Sequence, residues 1–316
     1  MVSVTSKTQT QLKKDYTKLT KTGKFIGNQP VTLTPKTFQQ DTEYYITVKL
    51  DGMRKLLFQS KNGTAFVSSN STLKPITVQN KLQPNTILDG EYIDPKGTND
   101  PDTFFAFDIL FYNGIDLRPK PLHTRLKYLK RALNSTPNGF GVKLKIKDHF
   151  RGDLCKIFFY FKKKFGHDLI GGVLDGFIFT PNTSYLDKKL SKTTTFLPPL
   201  KWKPMHLLSI DFEIKKVNVG DSHFFKLLLQ NGKVYSPPNY FGDKYKGIGT
   251  VRVSKELYDT YKAGNVLEFV FDKKLGSFVF LRDRPDKSKS NYNTVIDSNM
   301  NEIVFPTNMR KILCKN

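Results

Sequence analysis

Residues 48–58 read "VKLDGMRKLLF", and the fold turns on how this stretch is read. The preceding "YYIT" (44–47) is aromatic and β-branched, so the chain enters as a strand. Asp51-Gly52 is a turn signal, and "KLLF" resumes an extended, apolar pattern. Locally this is a hairpin with Lys49 at the bend. Yet a lysine that closes an apolar strand, followed at once by Asp51, Gly52 and Arg54, also gathers charge at one strand end. The rest of the chain decides between an incidental neighbour of a turn and a side chain held for chemistry.

At 316 residues the chain exceeds what one core usually serves, so two domains are expected. Hydrophobic residues at 38% and aromatics at 13% suffice for packed cores. Lys and Arg number 51 against 28 Asp and Glu, and the formal net charge of +23 calls for a polyanionic partner: nucleic acid, nucleotide or an anionic surface. Two cysteines, Cys155 and Cys314, make neither a disulfide framework nor a zinc site, which reads as a reduced, intracellular and cytoplasmic chain. No apolar run reaches membrane-spanning length; "IFFYF" (157–161) is short and ends in "KKK", so no membrane partner is expected. Residues 1–24 lack an apolar signal core and read as a basic lead-in, flexible or helical.

Strands are expected around an Asn62-Gly63 turn, at "NTILDGEYID" (85–94) and at "FFAFDILFYNG" (104–114). "PLHTRLKYLKRAL" (121–133) spaces leucines at helical intervals behind Pro121, and "DLCKIFFYFKKKF" (153–165) reads as a second helix with its lysines at the C-terminal end. "KLKIK" (143–147) alternates as a half-buried strand, and "LDGFIFTP" (174–181) and "LKWKP" (200–204) read as strand ends. Beyond Met205 short strands with one helix near 254–262 suit a small barrel of the OB type. The expected class is α+β: residues 25–207 form a first domain of largely antiparallel sheets with helices, and residues 208–316 an OB-fold domain ending in a loop and a helix.

Each further charged or aromatic strand end has a bland reading. Asp89-Gly90 and Asp175-Gly176 are turn signals, Phe107 and Trp202 are core-sized, and Lys201 with Lys203 alternate as on a solvated face. Their joint order is less easily dismissed: "KLDGMR", "LDGEY" (88–92), "FAFD" (105–108), "LDGFIF" (174–179), "LKWKP" and "RDRPDK" (282–287). In this order the chain resembles the covalent nucleotidyltransferase superfamily of polynucleotide ligases and mRNA capping guanylyltransferases, from about Phe25 to about Val295. "LKWKP", the upstream "FIGNQPVTL" (25–33) and the closing "RPDKSKSNYNTV" are most similar to capping enzymes of viral type. One departure is "FVSSNST" (66–72), where many relatives carry an arginine, so no nucleotide contact is assigned there.

The resemblance implies a nucleotidyltransferase domain followed by the OB fold, with Lys49 taking GMP from GTP and passing it to the 5′-diphosphate end of RNA. It implies that Arg54 and Glu91 hold the ribose, that Phe107 stacks on the base, and that Lys201 and Lys203 contact the α-phosphate. Lys203 and Asp175 join Lys49 as catalytic groups, and Asp175 with Glu91 serves a magnesium or manganese ion. Arg284, Asp286 and Lys287 of a mobile second domain reach the β- and γ-phosphates. No metal-dependent triphosphatase pattern or methyl-donor loop accompanies these motifs, and "DFEIK" (211–215) reads as a plain strand, so separate RNA triphosphatase and cap methyltransferase partners are expected, or a longer polyprotein or complex of which this chain is one part. Two other readings stay open: an ATP-dependent DNA or RNA ligase using lysyl-AMP, and a non-catalytic RNA-binding protein on the same fold.

Overall fold

Asp51-Gly52 carries the chain from one sheet into another and closes no hairpin. The computed structural model describes residues 6–94, 102–134, 140–165, 174–186 and 197–314, and the chain divides into residues 1–202 with 310–316, and residues 203–309. In the first unit helix α1 (Ser6–Thr20) precedes strands β1 (Val31–Thr32), β2 (Tyr44–Leu50), β3 (Met53–Ser60), β4 (Gly63–Ser68), β5 (Leu73–Ile76), β6 (Thr86–Ile93), β7 (Thr103–Tyr112) and β8 (Ile115–Asp116). Helix α2 (Leu122–Ala132), strand β9 (Lys143–Ile146), helix α3 (Leu154–Lys164) and strands β10 (Leu174–Pro181) and β11 (Leu200–Trp202) follow.

One sheet runs β1-β11-β10-β2; the other runs β5-β4-β3-β6-β7-β8, with β9 alongside β7. All pairings are antiparallel except β1 with β11 and β9 with β7. β2 pairs with β10 and β3 with β4 and β6, so Lys49 stands where the chain leaves one sheet for the other. Gly52 suits that corner: a Cβ there would lie 2.3 Å from Ile93 Cδ1 and 2.7 Å from Tyr92 O.

The continuous apolar run "KLLF" follows from burial on both faces. Leu56 and Phe58 pack with Leu12 and Tyr16 of α1, while Leu57 joins Leu88, Phe104 and Leu129 of α2 on the other face. Each such side chain contributes about 1.5–3 kcal/mol through burial. Much of the basic lead-in is therefore the structural helix α1, clamped by Leu12 and Tyr16, which are 0% and 1% exposed. Asp89-Gly90 is no turn either; it lies within β6, with Asp89 opposite Leu56 on one side and Asp108 on the other.

The second unit holds β12 (Ser209–Val219), β13 (Ser222–Leu228), β14 (Thr250–Val253), helix α4 (Lys255–Thr260), β15 (Val266–Asp272), β16 (Ser277–Asp283) and helix α5 (Asn293–Val304). Its antiparallel sheet runs β14-β13-β12-β15-β16. Among the described residues no ladder joins β14 to β16, so the barrel of the OB type expected here is not closed by strand pairing. The expected terminal helix is part of its core: Ile296, Met300 and Ile303 of α5 pack with Phe212, Phe225, Phe269 and Phe278. Helix α5 thus completes the apolar face of the sheet.

The cysteines correct a second expectation. The chain rejoins the first unit at Arg310, and Cys314, just past α6 (Met309–Leu313), is disulfide-bonded to Cys155 of α3. The Cα atoms are 4.9 Å apart although 159 residues separate the two in sequence, a proximity without local signature. Ile312 and Leu313 are buried there, Arg310 lies 5.3 Å from the Phe159 ring centroid, and Gln40 Nε2 donates to Ile312 O at 3.0 Å. Reduction, or Cys314→Ser, should cost about 2–4 kcal/mol by freeing a long loop in the unfolded chain. The check is thermal unfolding with and without reductant; an unchanged melting temperature in protein shown by mass to be oxidised would contradict it. Among the described residues no helix is long and apolar enough to cross a membrane.

Candidate active site

Two β-bulges shape the surroundings of Lys49. Along β2 and β10, Lys49 faces Gly176 and Leu50 faces Leu174, which leaves Asp175 as an extra residue. A bulge turns such a residue out of the regular ladder. The Asp175 carboxylate accepts a hydrogen bond from Lys49 Nζ. Along β6 and β7, Asp89 faces Asp108 and Gly90 faces Ala106, so Phe107 is the extra residue. Lys49, Arg54, Glu91 and Phe107 line one cavity of about 260 Å³.

Arg54 is fixed from several sides. Its Nε and Nη2 donate to the two carboxylate oxygens of Asp89 at 3.0 and 2.7 Å, a fork geometry suited to a guanidinium. Its Nη1 donates to Asn28 O. Tyr185 Oη donates to Asp89 Oδ2 and accepts from Asn28 N at 2.8 Å. Asp89 is wholly buried. Burial opposes the charge on Arg54, but the Asp89 carboxylate outweighs it and holds the guanidinium protonated. Burial, reinforced by Asp89, pushes the Tyr185 phenol well above its usual value, so it stays a donor.

Beside Phe107 stands Lys147, 7% exposed, with its ammonium 5.6 Å from the ring centroid. Burial drives its pKa down to about 8, against the opposing pull of Glu91. Burial raises the Glu91 carboxyl, opposed by Lys147 and Lys49. His149, brought down to about 4 chiefly by burial, is neutral, and its Nδ1 donates to Lys147 O at 2.9 Å. Lys147 and His149 line the same cavity.

Lys201 faces Ile178 on β10, which faces Thr47 on β2; the row of three shares one sheet face, and Ile178 and Thr47 line the cavity. Trp202 points into the core, stacked on Phe177 with centroids 5.7 Å apart. Lys203 opens the second unit, which also contains Arg284, Asp286 and Lys287. There Arg284 and Lys287 both donate to Asp211, and Arg284 also to Asp286.

Among the cavity residues that escaped the sequence reading are Asn28, Asp89, Lys147, His149 and Tyr185. The alternation in "KLKIK" marks Lys143, Lys145 and Lys147 as one face, which on its own reads as solvated. Parallel pairing of β9 with β7 is what turns Lys147 inward, its backbone N–H donating to Ala106 O at 2.8 Å. Among the described residues no cluster of three or more His, Cys, Asp or Glu side chains is poised for a metal.

Residues 1–205 match the family model described as mRNA capping enzyme, catalytic domain. The chain is 26% identical, over 96% of its length, to the mRNA-capping enzyme subunit alpha of Yarrowia lipolytica, and spans 85% of that protein. It is also 26% identical, over 84% of its length, to the probable mRNA-capping enzyme of Acanthamoeba polyphaga mimivirus, of which it spans 26%. Among solved structures, a mycobacterial DNA ligase D complexed with ATP and MES overlaps 83% of the chain and 95% of its own at 15% identity and a TM-score of 0.49, too loose a likeness to argue from.

Proposed function

The chain belongs to the mRNA capping enzyme family, and from that premise we propose that its cavity transfers GMP from GTP to RNA through Lys49. The Lys49 amine attacks the α-phosphorus of GTP; a nitrogen–phosphorus bond forms, the bond to the β-phosphate oxygen breaks, and pyrophosphate leaves with the electron pair. A terminal phosphate oxygen of an RNA 5′-diphosphate end then attacks the same phosphorus. The nitrogen–phosphorus bond breaks, the amine takes up a proton, and a 5′–5′ triphosphate remains.

The observation that carries this reading is the placement of Lys49 at a sheet corner, with a bulged acid bonded to it and a bulged aromatic in the same cavity. An ammonium has no lone pair, so the proton must leave before attack, and Asp175 is the acceptor already in contact. Phe107 offers the stacking surface, Arg54 and Glu91 polar contacts to the ribose, and Lys201 and Lys203 charge for the α-phosphate. Arg284 and Lys287 supply cations for the β- and γ-phosphates, and Asp286 pairs with Arg284.

Asp175 and Glu91 fit a magnesium or manganese ion only as two carboxylates whose shell the nucleotide and water complete, a common arrangement for hard cations. When bound, such an ion neutralises phosphate charge. The order of strands and helix in the second unit supports an OB-type fold left open, and the basic surface suits an RNA backbone. Separate proteins would trim the RNA triphosphate end and methylate the cap.

Lys147 supplies the base preference. Protonated lysine only donates, and guanine presents the O6 acceptor where adenine presents an amino donor. Lys147→Ala should therefore weaken GTP by about tenfold or more while leaving ATP little changed. Equal losses for both nucleotides in a competition titration would contradict this role.

The function itself is tested by incubating the protein with α-labelled GTP or ATP and a divalent cation, denaturing, and then chasing with RNA bearing a 5′-diphosphate. Label from GTP on the chain, passed to the RNA, is the expected result. Label from ATP alone would establish a ligase, and no label from either a binding protein.

A further inference from the structure

Asp211 is a buried carboxylate, 4% exposed, on β12 of the second unit. Its Oδ1 accepts from Arg284 Nη1 at 2.9 Å, and its Oδ2 accepts from Lys287 Nζ and, at 3.0 Å, from Asn291 Nδ2. Its backbone is held as well: Asp211 N donates to Asn291 Oδ1 at 2.8 Å, and Asn291 N donates to Asp211 O at 2.9 Å. Directly across the sheet stands Glu268, itself buried and bonded to Arg282 Nε at 2.6 Å. Two carboxylates opposite one another repel. Arg284 relieves this by lying between them, its Nη1 3.5 Å from Glu268 Oε2.

The two edges of the Arg284 guanidinium are treated differently. Its Nε and Nη2 meet Asp286 at 3.0 and 2.9 Å, and that carboxylate is 64% exposed. Its Nη1 meets the immobile, buried Asp211. An exposed carboxylate two residues away is free to yield to a stronger anion, whereas Asp211 is tied by side chain and backbone and cannot follow. Burying a carboxylate pair is costly, and apolar residues of the same size would serve stability as well or better. The arrangement makes sense as a device for placing cations.

We propose that Asp211 is a positioning residue for the leaving-group end of the nucleotide. It fixes the Arg284 guanidinium and the Lys287 ammonium as one preformed pair, so that both meet the pyrophosphate moiety without first being ordered. This rests on the reading of Arg284 and Lys287 as the β- and γ-phosphate contacts. Preformed donors gain because no ordering remains to be done when charge develops.

The test is Asp211→Asn in the full chain, which keeps the shape and removes the charge. The expected result is a rise of about tenfold in the KM for GTP, and a like rise in the pyrophosphate needed to strip label from the loaded protein. Transfer of label already on the protein to an RNA diphosphate end, a step without pyrophosphate, should be unchanged. Combined with Lys287→Ala, the two losses should fall short of additive, since one substitution already breaks the pair. Equal slowing of all steps with a lowered melting temperature would overturn the proposal in favour of a structural role, and so would additive losses. If Asp211→Asn does not fold, Asn291→Ala decides: a several-fold rise in the KM for GTP supports the proposal and no change overturns it. If Arg284→Ala and Lys287→Ala leave GTP use intact, the phosphate-contact reading fails and the proposal with it. If they impair GTP use and Asp211→Asn does not, only the role of Asp211 is refuted.

Discussion

Lys49→Ala should abolish covalent labelling, to below about a thousandth of the unsubstituted rate, because no other group replaces a missing nucleophile. The sharper substitution is Lys49→Arg. Arginine keeps the positive charge beside Asp175 but remains protonated at any accessible pH, so it has no lone pair to offer. Both variants should lose labelling alike, while the arginine variant keeps its melting temperature near that of the parent. The measurement is label on the denatured chain after incubation with α-labelled GTP, paired with a thermal scan. Substantial labelling in Lys49→Arg would move the covalent site to another side chain and return Lys49 to its bland role beside the Asp51-Gly52 turn.

Asp89→Ala is expected to have the second-largest effect, this time on stability and activity together. The Asp89 side chain is 0% exposed and that of its partner Arg54 19%, so removing the carboxylate strands a largely enclosed guanidinium. Breaking a buried pair from one side typically costs about 3–5 kcal/mol. For a unit of this size that lowers the melting temperature by about 10 °C. Arg54 would also lose its fork, and with it the orientation toward the cavity, so GTP use should fall even where the protein stays folded. Tyr185→Phe, which removes the donor to Asp89 and the acceptor of Asn28 N, should cost about 1–3 kcal/mol. A melting temperature for Asp89→Ala within error of the parent would show that Arg54 finds another acceptor and that the network is not its anchor.

Legibility in the sequence followed the range of the interaction. Lys49, Glu91, Phe107, Asp175 and Lys201 were singled out because apolar, β-branched runs and Asp-Gly pairs announce themselves over a few residues. Their order along the chain supplied the resemblance. Asp89 was hidden because a turn-forming pair in mid-strand looks like a turn until its neighbours on both sides are known. Lys147 was hidden because a lysine in an alternating strand reads as solvated, and only parallel pairing with β7 buries it. The Cys155–Cys314 pair was expected unpaired since nothing near either cysteine marks the other.

By itself, then, the sequence determined the α+β class and the two-part organisation, and it singled out Lys49 as the nucleophile proposed here. These depend on side-chain periodicity and local backbone preference, which act within a turn or a strand. Only the tertiary structure decided that the bend at Asp51-Gly52 joins two sheets, and that one-residue shifts in register bring Phe107 to the cavity wall and Asp175 to Lys49 Nζ. Only the tertiary structure decided that α5 completes the core of the second sheet. Register and closure are set by packing between segments far apart in the chain, where many arrangements share the same local pattern and only the packed one buries its apolar faces while pairing its buried charges.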